Sequence, residues 1–217
     1  MPRRPLRFLV FDAIMCESER RERRGSWSSP NSSSNANHGD YGSLRVLFVC
    51  TGNTCRSPMA EAVFRRLASE RLNCPEEKLM DHQLDVHSAG VAAADSAPAS
   101  MEAVEVLNQR GISLSHHLSQ QVTDEMLNCS DLVLTMTGGH LGVLQNARPD
   151  LAERMRTLRE DGRGISDPIG GSLEEYRHCA NEITGCLERL LAAAWSAFFF
   201  SCSATVLPVT CSFSWLW

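Results

Sequence analysis

The chain has 217 residues, 43% of them hydrophobic, and a formal net charge of −5. That length and apolar content suit one domain with a substantial core, and the mildly acidic balance argues against a nucleic-acid surface. Nine cysteines, an odd number scattered through ordinary helix and strand patterns, argue against a secreted disulfide framework and for a reducing cytoplasm.

Residues 1–43 read as an extension rather than as domain. Arg20, Arg21, Arg23 and Arg24 form a basic cluster, and a Ser/Asn run follows over 26–37. Such composition cannot bury enough apolar surface to offset the entropy of ordering, so disorder is expected. A short apolar patch over 6–15, with Arg3 and Arg4 before it and Arg7 near its start, resembles a weak signal peptide. Asp12 interrupts it, however, and no small-x-small cleavage site follows. An overlong translation start is the other reading of this segment.

The domain is expected over residues 44–194. Residues 44–49 are an apolar run ending at a Gly-containing turn, which predicts a buried strand. A helix opens at Ser57-Pro58, with Ser57 as N-cap, Pro58 in the first position, and Ala60, Phe64, Leu67 and Ala68 on one face. A short strand over 84–87 ends at Ser88-Ala89-Gly90. Residues 100–110 read as a helix stopped by Gly111, and 124–129 as a short helix capped by Thr123. Residues 132–136 read as a strand, and 173–194 as a long helix with apolar residues near period 3.6. Strands alternating with helices predict an α/β fold whose parallel sheet is covered on both faces. Residues 195–217 carry no charge and are long enough to cross a bilayer. Many serines, Pro208 and the lack of following basic residues weigh against a tail anchor, so a frayed tail or a translated artefact is expected before a membrane anchor, which the apolar stretch leaves open.

The chemistry concentrates in Cys50-Thr51-Gly52-Asn53-Thr54-Cys55-Arg56-Ser57-Pro58. A strand delivers Cys50 to a turn that runs into a helix N-terminus. Inward-pointing backbone N–H groups and the helix dipole make such a loop an anion cradle, and the same field favours the thiolate of a cysteine placed there. Arg56 closes the loop six residues later, with a planar fork that can hold two phosphate oxygens. A thiolate beneath a bound phosphate in a ring of donors is what phosphoryl transfer to sulfur needs. A bare C-x5-R recurs by chance, and its bland reading is a buried strand-end cysteine with a surface arginine. The surrounding strand, glycine, serine and proline favour the cradle. Such transfer also needs an acid for the leaving group. The candidate is Asp167, in Asp167-Pro168-Ile169-Gly170-Gly171, a loop able to reach over a pocket, although Asp-Pro also serves as a plain turn former. Cys50 and Cys55 lack a second Cys/His pair at ligand spacing, so neither a metal nor another cofactor is expected. His116 and His117 read as solvated or rim residues and Tyr176 as a packing residue.

Residues 44–194 resemble the low-molecular-weight protein-tyrosine-phosphatase family. Its signature matches the Cys50 to Pro58 loop, and Ser88-Ala89-Gly90, the strand from Asp131 to Met136 and Asp167-Pro168 follow in family order. The resemblance implies a three-layer, doubly wound fold with a four-stranded parallel sheet and the phosphate-binding loop after the first strand. It implies that Cys50 is the nucleophile, that Arg56 binds the phosphoryl group with the loop residues Thr51, Gly52, Asn53, Thr54, Cys55 and Ser57, and that Asp167 is first acid and then base. Asn53 should hold the loop with Ser88, Ser57 should stabilise the Cys50 thiolate, and Cys55 should be able to trap an oxidised Cys50 as a disulfide.

Two features resemble the bacterial protein-arginine-phosphatase subclass. Thr54 stands where tyrosine-specific members carry an aliphatic residue, and Thr135-Met136-Thr137-Gly138-Gly139-His140 stands where they tend to have Met-Asp. A hydroxyl at the pocket wall suits a guanidinium better than a phenol. Ile169 replaces the aromatic residue usual after Asp-Pro and offers no ring for stacking on a phenol. The expected activity is therefore hydrolysis of phosphorylated protein side chains through a phosphocysteine intermediate, phosphoarginine before phosphotyrosine, by a cytoplasmic monomer. The expected partners are phosphorylated proteins. Arsenate reductases share this fold and loop, but they relay a disulfide through further cysteines near the end of the strand that here reads Thr135-Met136-Thr137, and no cysteine stands there.

Overall fold

The structure is a computed structural model that describes residues 43–202, with 193–202 as backbone alone. The expected 1–43 extension, apart from Ser43, and the expected tail beyond 202 lie outside the described residues. Four strands, β1 (Leu44–Cys50), β2 (Leu84–Gly90), β3 (Leu132–Thr135) and β4 (Met155–Thr157), form one sheet in the order β2-β1-β3-β4. Every pairing is parallel. The helices are α1 (Arg56–Leu72), α2 (Met101–Asn108), α3 (Asp124–Cys129), α4 (Gly138–Ala147) and α5 (Leu173–Cys202), with single 3-10 stretches at Glu76–His82 and Pro149–Arg154.

The two-residue period of β1 builds both cores. Val46, Phe48 and Cys50 point to one face and pack with α1, α2 and α5; Leu47 and Val49 point to the other and pack with α3, α4 and Met155. This is why β1 reads as a continuous apolar run rather than an alternating one. Phe48 meets Phe64 of α1 with ring centroids 5.6 Å apart in a tilted pair, a favoured aromatic geometry that seats α1 over the strand that feeds it.

The expected three-layer doubly wound sheet is thus the observed one. The structure adds α4 and β4, which no sequence pattern marked. It carries the last helix to Cys202, past the expected end at Ala194. One local reading is corrected. Ser57 does not cap α1: the helix begins at Arg56, Cys55 is the N-cap, and no side chain caps it. The Ser57 hydroxyl is turned inward to the thiol of Cys50 instead. Thr123 does cap α3, accepting from the Met126 N–H.

The chain leaves β1 for β2 on one side and later returns to β3 on the other. The carboxyl ends of β1 and β3 therefore flank the point where strand order reverses, the usual ligand crevice of an open parallel sheet. Cys50 lies there.

Candidate active site

Cys50 ends β1 and is 3% exposed. Its sulfur receives the Asn53 N–H at 3.2 Å and lies 3.0 Å from Ser57 Oγ. The Asn53 N–H holds the sulfur on the loop axis, and beside it lies the Ser57 hydroxyl, which also donates to the Ala89 carbonyl at 3.3 Å. Asn53 provides the loop's frame. Its φ is +54°, the left-handed region that asparagine tolerates better than most residues. The buried side chain donates from Nδ2 to Ser57 Oγ and to Ser88 Oγ, both at 2.9 Å, and accepts at Oδ1 from the Gln120 N–H at 3.0 Å. Both amide hydrogens and one lone pair of Oδ1 are thereby used, as suits a fully buried amide.

Two further contacts fix the loop from outside. Gly90 has no room for a side chain: a Cβ there would sit 2.3 Å from the Thr51 carbonyl oxygen and 3.0 Å from the Asn53 nitrogen. Glycine lets β2 pass directly beneath the cradle. His117 Nε2 lies 2.7 Å from the Asn53 carbonyl oxygen, so Nε2 carries the proton and donates. His116 is exposed as expected, but His117 is a brace for the loop rather than a solvated side chain.

Arg56 is buried to 6% exposure and its Nη2 donates to Asp167 Oδ2 at 2.6 Å. The ion pair joins the start of α1 to the loop before α5, 111 residues later. Asp167 is half exposed, and its other oxygen accepts from the Ile169 N–H at 3.3 Å. The Ile169 side chain is 70% exposed and projects outward. Behind the loop, Cys55 is buried, with its sulfur 3.3 Å from both Ser100 Oγ and Tyr176 Oη. Tyr176 is more than a packing residue. Burial first, and then the bond to Cys55, push its phenol up to about 12, so it stays a protonated hydroxyl. Thr54 is half-buried beside Cys55, its hydroxyl 3.6 Å from that sulfur.

The residues read from sequence therefore meet around one cradle: Cys50, the loop from Thr51 to Ser57, Ser88 and Asp167. Sequence reading missed Gln120, Ser100, the His117 brace and the Tyr176 hydroxyl. None of these carries a local signal, because each reaches the loop through tertiary packing. His140 entered the reading only as part of a subclass resemblance. It is buried and bonds to Thr51.

A family model described as low molecular weight phosphotyrosine protein phosphatase matches residues 45–196. The chain belongs to the low-molecular-weight protein-phosphatase family. It is 38% identical over 152 residues to a protein-arginine-phosphatase of Bacillus subtilis, covering 68% of this chain and 94% of that one. Among solved structures, a low molecular weight protein tyrosine phosphatase from T. tengcongensis is similar at 40% identity, covering 69% and 99% of the two chains with a TM-score of 0.62. YwlE arginine phosphatase, a Cys-to-Ser variant with a phosphorylated active-site serine, is similar at 35% identity, covering 70% and 96% with a TM-score of 0.61.

The chain is a cysteine-dependent enzyme of this phosphatase family, and the remaining cysteines bear on its chemistry. The end of β3 carries Thr135, Met136 and Thr137, as the sequence reads. Cys129 lies before β3, and Cys179 is fully buried in α5, where burial pushes its thiol up to about 12. A thiol so hard to ionise is a poor relay for disulfide exchange. Among the described residues no three His, Cys, Asp or Glu side chains cluster as a metal site. No helix there is long and apolar enough to cross a membrane.

Proposed function

We propose that this phosphatase hydrolyses phosphorylated protein side chains through a phosphocysteine on Cys50, with phosphoarginine preferred over phosphotyrosine. One observation carries the mechanism. The Cys50 sulfur sits under the Asn53 N–H and the Ser57 hydroxyl, in a loop whose mouth is closed by the Arg56–Asp167 pair.

In the first step the Cys50 thiolate attacks phosphorus as the P–N or P–O bond breaks, and Asp167 gives its proton to the departing nitrogen or oxygen. In the second, Asp167 takes a proton from water, the water oxygen attacks phosphorus, and the S–P bond breaks to return the thiolate and phosphate. Loop amides and the Arg56 fork carry the charge of both transition states. A phosphate dianion competes with Asp167 for the guanidinium, and a carboxyl released from that pair is free to exchange protons. The substrate preference rests on Thr54 and Ile169. Thr54, half-buried beside Cys55, brings a hydroxyl to the loop where an aliphatic residue would bring none, and an exposed Ile169 offers no ring for a phenol. Similarity to a relative named protein-arginine-phosphatase supports the same reading. Free thiols at all six cysteines whose side chains are described suit a reducing cytoplasm.

The test compares kcat/KM of the full chain on matched phosphoarginine and phosphotyrosine peptides, with Thr54→Ile beside it. The expected result is a phosphoarginine preference that Thr54→Ile lowers by about tenfold. An unchanged ratio overturns the role of Thr54.

A further inference from the structure

The motif Thr137-Gly138-Gly139-His140 is not used by the mechanism above, yet it touches the phosphate loop. His140 is 8% exposed and lies in the first turn of α4 at the β1–β3 crevice. Its Nε2 is 2.8 Å from Thr51 Oγ1, and its Nδ1 is 3.0 Å from Thr137 Oγ1. Thr137 caps α4, so the same Oγ1 accepts the His140 backbone N–H at 3.3 Å.

These contacts admit a consistent place for the ring proton. A threonine hydroxyl has one hydrogen to give. The Thr137 hydrogen can go to His140 Nδ1 while its oxygen accepts the backbone N–H. A neutral imidazole that accepts at Nδ1 carries its hydrogen on Nε2, and Nε2 faces Thr51. Thr51 Oγ1 is therefore an acceptor from His140, and its own hydrogen is left for another partner. Thr51 follows the nucleophile directly in the loop, and its side chain is exposed at the crevice.

We propose that His140 is a positioning residue that fixes the Thr51 hydroxyl as a donor into the phosphate loop. The inference rests on the phosphatase reading of that loop. The same turn is tied to the acid's loop. The Ile165 N–H donates to the Met136 carbonyl at 2.7 Å. Gly164, at φ +78°, packs so tightly on Met136 and Thr137 that a Cβ there would meet them at 3.2 Å. Thr137 and His140 thus connect the loop of Cys50 to the loop that carries Asp167. The charged groups facing His140 are Arg56, from the start of α1, and Asp167. Burial first, and then Arg56, hold its imidazolium form below the usual histidine range, while Asp167 acts the other way. The neutral form is accordingly the one present at pH 7, as the donor role needs.

The experiment uses the full chain with para-nitrophenyl phosphate. Long-range proton–nitrogen NMR on the histidines should show His140 as the neutral Nε2–H tautomer at pH 7. Thr51→Val and His140→Ala should each lower kcat about tenfold, the loss of roughly one hydrogen bond, with KM changed by less than about twofold. The double variant should be no worse than about twofold beyond either single one, since both remove one donor. His140→Gln, whose amide nitrogen can occupy the Nε2 place, should recover most of kcat. An Nδ1–H tautomer, full additivity of the two losses, or a Gln variant that melts like the native chain but is no more active than the Ala variant would each overturn the proposal. Cys50→Ser is run in parallel: activity retained there removes the phosphatase mechanism, while the tautomer still reports on His140 alone.

Discussion

At the scale of single residues, Asn53 shows how much one side chain can hold. It joins Ser57, Ser88 and the Gln120 backbone while its own backbone adopts a left-handed turn. Asn53→Ala leaves buried donors and acceptors unpaired and puts a Cβ without a compensating amide at φ +54°. The expected cost is about 1–3 kcal/mol of stability, with kcat falling further than the melting temperature implies. Thermal melts and kinetics on one preparation check this. Asp167→Asn keeps the shape but cannot give the proton. It should lower kcat by about 10²- to 10⁴-fold, most on substrates with poor leaving groups. An equal loss on para-nitrophenyl phosphate, whose leaving group needs little protonation, would contradict an acid role. Tyr176→Phe should leave kcat unchanged while making Cys55 more accessible to alkylating reagents, because it removes the hydroxyl 3.3 Å from that sulfur.

At the scale of elements, the strand–loop–helix unit of β1 and α1 was largely legible. Five apolar residues among 44–49, a glycine turn, an arginine and a proline state it in local terms, and the parallel pairing follows from the alternation that comes after. The role of Ser57 was misread because serine before proline carries the general signal of an N-cap. Whether its hydroxyl turns to the backbone or to Cys50 is decided by where β1 ends, which is tertiary information. α4 escaped notice for a related reason. Its first turn holds two glycines, poor helix formers, and the helix stands on the Thr137 cap and on Leu144 packing against the sheet. β4 is three residues long with only Met155 buried, too short for an alternating pattern. Gly90→Ala tests the fit between β2 and the loop. With 2.3 Å from a Cβ to the Thr51 carbonyl oxygen, the loop must shift. Activity should fall by at least about tenfold even where the fold persists, since a small misplacement in such a site is costly.

At the scale of the whole molecule, buried ionisable groups set the alkaline limit. Burial pushes Cys179 and Tyr176 up to about 12. In the unfolded chain a thiol loses its proton near about 8.5 and a phenol near about 10. Between those values and 12 the folded protein binds more protons than the unfolded one, so stability falls as pH rises through that window. Below about 8 both states are protonated and these groups have no effect. Denaturant unfolding from pH 7 to 11 should show the decline, and Cys179→Ala should flatten its early part. His140 acts at the other end. Held below the ordinary histidine range, it gains its proton first in the unfolded chain, so it lowers stability as pH falls through about 6.5. The domain order and the cradle could be foreseen from the chain, whereas this ledger of buried protons depends on which helix covers which strand.

In the proposed mechanism Cys50 takes the phosphate. Rapid-quench mapping of the full chain with a phosphorylated peptide tests it directly. Phosphate is expected on Cys50 within one turnover, accumulating in Asp167→Asn only with para-nitrophenyl phosphate, whose leaving group needs little protonation, and Cys50→Ser should lose at least about 10³-fold of hydrolysis. Undiminished turnover by Cys50→Ser, or phosphate recovered on any other residue, would contradict it.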